Sequence, residues 1–212
     1  MGNLSPVVIK VGGSLFDWPG LREHLNSWLK CEVIGPALVV PGGGPIVDAL
    51  RDLDSKHQLG EEASHWLALR LLTFSAHFLL ELLPEAALVT KLESYKDCLR
   101  SNRPAVLDPF EFARSDDHSS GSLPHTWEVT SDSIAARAAH LLRARRLILL
   151  KSADDPAHGD WVEAGRRGYV DPYFAHAIGN ELRVQAVNLR EWQPPEGKTR
   201  EPRPGGERDR DR

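Results

Sequence analysis

Short runs rich in valine, isoleucine and leucine recur along the chain at residues 7–11, 37–40, 86–90, 147–150 and 184–189. Most are separated by stretches whose apolar residues return every three to four positions, at about residues 18–29, 45–56, 61–83 and 132–144, the spacing of helices with a buried face. Continuous apolar strands alternating with helices predict an α/β fold with a mainly parallel open sheet covered on both faces. Asp171-Pro172 announces a further short helix, with the acid as N-cap, proline at the first helical position and Gly179 placed to end it. The stretch 116–124, DDHSSGSLP, reads as a polar loop between two halves, long enough to be a mobile flap.

Composition narrows the picture. With 212 residues, 41% of them hydrophobic, the chain can bury one sizeable core. A single domain is expected over residues 1–192. From residue 193 onward almost no apolar residue occurs, so 193–212 reads as a disordered tail. The apolar region 65–83 is broken by Arg70, His77 and Glu81 and flanked by Glu61 and Glu62, which predicts a buried helix and no membrane partner. A formal charge of −4 offers no electrostatic footprint for nucleic acid. Two cysteines make no disulfide framework, and the first ten residues lack the layout of a secretion signal, so the expected location is the cytoplasm.

The candidate chemistry lies where strands end. Residues 8–14 read VIKVGGS and residues 39–45 read VVPGGGP, so two strands run into adjacent glycines. A strand, a glycine turn and a helix together present free N–H groups and a helix dipole to an anion, and glycine permits close backbone approach. Neither stretch is a P-loop, and 42–47 lacks the third glycine of a dinucleotide fingerprint, so each alone reads more often as a tight turn than as a phosphate cradle. Lys10 changes the balance. A lysine inside an apolar strand is costly to bury unless its ammonium reaches the strand's end and meets an anion; the alternative is a snorkelling lysine on an edge strand. A third element, VTSDSIAARAA from Val129, opens a helix in which Ser131 or Asp132 could be a plain N-cap and Asp132 could equally hold a lysine. The strand that follows it ends in Lys151-Ser152-Ala153-Asp154-Asp155, bringing a second cation to a strand end.

In this order, IKVGGS, VVPGGGP, VTSDSIAARAA and LILLKSADD resemble the amino acid kinase family, the group of acetylglutamate kinase, aspartokinase and bacterial uridylate kinase. The resemblance implies a three-layer αβα sandwich. About residues 1–115 would bind a phosphoryl acceptor and about 125–192 would bind ATP. It implies that Lys10 bridges the transferred phosphoryl group, that Gly12, Gly13 and Ser14 form one phosphate cradle, and that Gly42, Gly43 and Gly44 form the other. Asp132 matches the organising aspartate of the family. Ser131, Ser152, Asp154 and Tyr169 fall on the nucleotide side, and His65 on the acceptor side, where core packing is its other reading.

The chain departs from the family pattern at its nucleotide loop, where LLKSADDPA replaces a sequence like LLTDVDGVY, and late in the chain, where GYVDPYF stands in place of a second catalytic lysine. Lys151 is the candidate substitute. Asp154 and Asp171 are possible helpers, although Asp171 reads more simply as a helix cap. The short length resembles the compact branch associated with one-carbon cofactor synthesis in methanogens and methylotrophic bacteria, in which a furan-methyl phosphate becomes a diphosphate. The implied reaction is ATP-dependent transfer to a small phosphomonoester, needing lysines, backbone N–H groups and Mg²⁺ and no protein metal site. Two alternatives stand beside it. One is a carboxylate or carbamate kinase, for which Arg51 or Arg70 would grip the acceptor. The other is a nucleotide- or oxyanion-binding protein without turnover. The apolar excess on the 61–83 helix predicts a homo-oligomer.

Overall fold

The computed structural model describes residues 6–33, 35, 37–95, 97–98 and 103–195. Six strands form one parallel sheet: β1 (Val7–Val11), β2 (Ala37–Pro41), β3 (Ala87–Val89), β4 (Ala105–Leu107), β5 (Arg146–Lys151) and β6 (Arg183–Asn188). Their order across the sheet is β3-β4-β2-β1-β5-β6, so β1 is central and lies between β2 and β5. The snorkelling edge-strand reading of Lys10 is therefore excluded: its backbone is in register with Val40 on one side and Leu149 on the other.

Alternation along the strands builds two cores on opposite faces. Val8, Leu38, Val40, Leu147 and Leu149 point to one side, while Ile9, Val11, Val39, Ile148 and Leu150 point to the other. The second face is covered by α1 (Leu21–Glu32) through Leu21, Leu25 and Trp28. The first is covered by Val47 of α2 (Gly44–His57), by Leu69 and Leu72 of α3 (Glu61–Leu82), and by the alanine-rich α5 (Ser131–Leu141). The small side chains Ala135, Ala136, Ala138 and Ala139 are all fully buried there, which brings the axis of α5 close to the sheet. Further along α3, Ala76, Leu79 and Leu82 pack into the second core, so this helix serves both faces.

The strand runs and four main helices of the sequence reading are present, with ends moved by at most three residues. Among the described residues, β4, α4 (Pro109–Asp116) and α6 (Trp161–Arg166) were not anticipated. The short helix after Asp171-Pro172 is α7 (Phe174–Ala177), and its N-cap is Tyr173, which no side chain caps. The segment expected to be a flap is tied down. Arg137 of α5 forms a bidentate ion pair with Asp116 at 2.8 Å through both nitrogens and also donates to the Ser120 carbonyl. The tail expected over 193–212 lies, from residue 196 on, outside the described residues. Among the described residues, no helix is long and apolar enough to cross a membrane.

Candidate functional site

The carboxyl ends of β1, β2 and β5 open into a cleft of about 690 Å³, the place where an open parallel sheet presents its helix N-termini and loops. Lys10 projects from the central strand to its closed end, with Asp132 from the first turn of α5 and Lys151 from the last residue of β5. Lys10 Nζ stands 2.9 Å from Asp132 Oδ1. Lys151 Nζ donates to both Asp132 oxygens at 3.0 Å and to the Tyr169 carbonyl at 2.7 Å. All three side chains are buried.

Two ammonium groups and one carboxylate leave this cluster with an excess positive charge that no other described residue neutralises. The electrostatics reflect that imbalance. Burial opposes the ionised form of Asp132, but Lys10 and Lys151 together outweigh it and hold the carboxyl below its ordinary range. Lys151 is pulled down to about 8, first by burial and then by the repulsion of Lys10, with Asp132 opposing both. An anion entering the cleft would supply the missing negative charge.

The two glycine turns meet each other at the same end. A Cβ on Gly13 would lie 2.1 Å from the Gly44 nitrogen, and one on Gly42 would lie 2.3 Å from the Gly13 nitrogen. Only glycine allows the turn after β1 and the turn after β2 to touch backbone to backbone, and Gly44 has φ +62° besides. Their amides differ in use. Gly12 N–H is spent on the Leu150 carbonyl at 2.7 Å, which ties the turn to β5, whereas α2 begins at Gly44, a residue that lines the cleft and whose N–H has no intrahelical acceptor, and Pro45 after it carries no N–H. Ser14 Oγ lies 2.7 Å from Ser152 Oγ, joining the turns after β1 and β5 across the site.

Of the residues singled out in the sequence, Lys10, Gly12, Gly13, Ser14, Gly43, Gly44, His65, Ser131, Asp132, Lys151, Ser152 and Tyr169 line this cleft. Gly42 lies beneath it as packing for Gly13, and Asp154 is exposed outside it. Asp171 proves to be a cap for another helix. Its Oδ2 accepts from Thr130 N–H at 3.0 Å, Thr130 Oγ1 at 2.9 Å and Ser133 N–H at 2.9 Å, and its Oδ1 accepts from Ser133 Oγ, so it fastens the start of α5. Burial, reinforced by the nearby Asp132, pushes its carboxyl up.

His65 is buried in α3 and stacked on His125, with ring centroids 4.8 Å apart. Burial first, then His125, lowers its imidazole to about 4, so it is neutral near pH 7. His125 in turn reaches Glu62 Oε2 at 2.9 Å. Sequence reasoning missed the wall beside it. Trp127 lines the cleft, donates its indole N–H to Asp54 Oδ2 at 2.7 Å and carries the Arg51 guanidinium 5.0 Å from its ring centroid. It sits in an irregular segment where no periodicity marks it. Arg70, the other candidate for an acceptor, lies over the Phe110 ring at 4.2 Å and does not line the cleft.

The chain as a whole is similar to known proteins. The family model for the amino acid kinase family matches residues 5–155, more than half of the chain, and the chain belongs to that family. A curated relative from Methanocaldococcus jannaschii, [5-(aminomethyl)furan-3-yl]methyl phosphate kinase, is 26% identical over 148 residues. That match takes in 69% of this chain and 66% of the relative, so the chain spans just under two thirds of the relative's length. Among solved structures, a uridylate kinase from Archaeoglobus fulgidus superposes with a TM-score of 0.63 at 18% identity, covering 87% of this chain and 90% of that one. A UMP kinase from Bacillus anthracis does so with a TM-score of 0.61 at 14% identity, covering 88% of each chain. These structures share the fold.

Proposed function

We propose that the protein transfers the γ-phosphoryl group of ATP to a small phosphomonoester and releases a diphosphate, with acceptors of the furan-methyl phosphate type the best fit. The observation that carries this reading is the buried Lys10–Asp132–Lys151 cluster, one positive charge in excess, at the meeting point of two glycine turns. Membership of the kinase family and the name of the curated relative support it. An acceptor phosphate oxygen attacks the γ-phosphorus; a new P–O bond forms as the bond to the bridging oxygen of ADP breaks, and no proton has to be removed from the nucleophile. The protein's work is then positioning and charge neutralisation. Lys10 faces the transferred group, Lys151 takes the place of the second cation, and Asp132 holds both lysines apart and aimed.

The acceptor belongs on the side of α2 and α3 and the nucleotide on the side of α5 and the 152–172 segment, where Ser131, Ser152 and Tyr169 line the cleft. Both oxygens of Asp132 and of Asp171 are engaged within the protein, so Mg²⁺ would be held by the ATP phosphates and water, where it would neutralise charge on the transferred group. Leu67 and Phe74 are exposed on α3, and a second copy of the chain is the partner that would cover them.

The test is ³¹P NMR of products from purified protein, ATP and Mg²⁺ with a panel of phosphomonoesters, dicarboxylic amino acids and carbamate. Diphosphate resonances from a furan-methyl phosphate are expected. Transfer to a carboxylate or carbamate alone would overturn the choice of acceptor, and nucleotide binding without any product would overturn the transfer itself.

A further inference from the structure

The far end of the acceptor half carries a chemistry that the cluster of lysines does not need. Four carboxylates line the cleft: Asp17, Asp48, Asp132 and Asp171. Asp132 is saturated by the two lysines and Asp171 by the start of α5. Asp17 follows the turn after β1 and accepts from Arg190, just past the end of β6, at 3.0 Å, so it belongs to the β1 and β6 ends and not to α2. Asp48 is different. It sits on the first turns of α2, above an acceptor-side floor of Val47, Ala68, Leu69 and Leu72, and its side chain is 70% exposed. One of its oxygens accepts from Arg51 Nη1 at 2.7 Å; among the described residues no hydrogen bond reaches the other. Arg51 has a second place to rest, against the face of Trp127, whose indole is fixed in turn by Asp54.

Helical geometry sets the spacing. At about 1.5 Å rise per residue, Asp48 lies roughly 6 Å and Arg51 roughly 10 Å along α2 from the glycine turn at Gly44. A phosphate held at that turn therefore places the opposite end of a small acceptor beside Asp48. The intervening floor is apolar, and His65 beside it is neutral near pH 7, so the body of the acceptor meets no charge.

Resting on the transfer reading above, we infer that Asp48 is a specificity-determining residue that receives an amine at the acceptor's far end, so that the substrate class is a zwitterion: a small planar apolar body with a phosphate at one end and an ammonium group at the other. An ammonium has three donors and no acceptor, which suits a carboxylate with a free oxygen. On arrival it shares Asp48 with Arg51, which keeps its contact with Trp127. The acceptor named for the Methanocaldococcus relative has this layout.

The experiment compares [5-(aminomethyl)furan-3-yl]methyl phosphate with the analogue in which the aminomethyl group is replaced by methyl. A hydrogen-bonded ion pair covered by the bound ligand corresponds to about ten- to a hundredfold in affinity. Wild-type protein should therefore show a KM ratio of that order in favour of the amine. D48N should collapse the ratio toward one, and D48E should restore part of it. Calorimetric binding of the two compounds without nucleotide gives the same comparison independently of turnover. A preference that persists in D48N, or a wild type that binds the two equally, overturns the assignment of Asp48. Preferential binding of the amine that D48N abolishes, with no diphosphate formed by wild type, sustains Asp48 and overturns the transfer reading alone.

Discussion

Lys10 was legible as an anomaly, a charge inside an apolar strand, and Asp132 as a carboxylate that could hold a lysine, but the sequence could not show that one carboxylate serves two ammonium groups. Because Asp132 serves Lys10 and Lys151 together, the three residues respond unequally to substitution. In Lys10→Met the carboxylate keeps Lys151, so the fold should survive while kcat falls by about 10²- to 10³-fold, the usual loss of a transition-state stabiliser. Asp132→Asn removes the only negative charge and leaves two buried ammonium groups facing each other. Breaking a buried pair from one side costs about 3–5 kcal/mol, so this variant should show a large drop in denaturation midpoint as well as lost activity. Urea titration beside steady-state kinetics separates the two; an Asp132→Asn protein as stable as wild type would mean that the lysines do not depend on it.

Lys151 adds a dependence on pH with opposite signs for activity and stability. Its folded-state value of about 8 lies below the ordinary 10.5, so between these values the unfolded chain holds more protons. Stability contributed by this group therefore rises from about pH 8 towards 10.5 and is lost as pH falls through 8. Turnover needs the charged form, so kcat should decline above pH 8 over the window in which this group's contribution to stability increases. Lys151→Arg, which stays charged, should flatten that alkaline limb, and an unchanged limb would assign the titration elsewhere.

At the scale of elements, what the sequence displayed depended on length and on which signals reached their partners locally. The strands β1, β2 and β5 stood out as continuous apolar runs, and the three-residue β3 did so because Ala86 lengthens its run, but β4 is only Ala105–Leu107, closed off by Pro104 and Asp108. The helix α4 carried a readable signal, since Asp108-Pro109 repeats the cap-and-proline pair seen at Asp171-Pro172. Asp108 does cap its own helix, accepting from Phe110 and Glu111 N–H, and also holds Thr73 of α3 at 2.6 Å. At Asp171 the same pair misled, because the carboxylate turns away to α5, forty residues earlier in the chain. Local sequence cannot distinguish the two uses. Removing this remote cap in Asp171→Ala leaves the buried donors of Ser133 and the half-buried ones of Thr130 without their acceptor, a cost of about 1–3 kcal/mol. Hydrogen exchange should show the loss at the first turn of α5, next to Asp132, with protection of α1 retained; uniform loss over the molecule would point to general unfolding.

Across the whole molecule, the strand ends that build the cleft were visible as glycines and lysines, because charge and missing side chains are properties of single positions. The Trp127 side of the cleft was not, because Trp127, Asp54, Arg51 and Asp48 become neighbours only when an irregular segment crosses α2. Ligand binding should be felt by the entire fold, since α5, β1 and β5 all end on the charged cluster. At about a hundred times its dissociation constant, ATP with Mg²⁺ should add roughly 2.7 kcal/mol to stability, visible as an upward shift in Tm. No shift with any nucleoside triphosphate would count against nucleotide binding altogether.

The seam between the two glycine turns has a consequence for how acceptor choice can change. With backbone already touching backbone at Gly13 and Gly44, the two turns cannot be narrowed, and a side chain at Gly13 or Gly42 would force the seam apart, so the glycines set the gauge of a ruler. A longer or bulkier acceptor cannot be accommodated by adjusting the ruler. Room has to come from the far wall, where Val47, Leu69, Leu72 and Trp127 can be exchanged for smaller or larger side chains without disturbing the distance over which phosphate is passed. Selection for new acceptors should therefore return substitutions on α2, α3 and the segment around Trp127, and leave the glycines untouched.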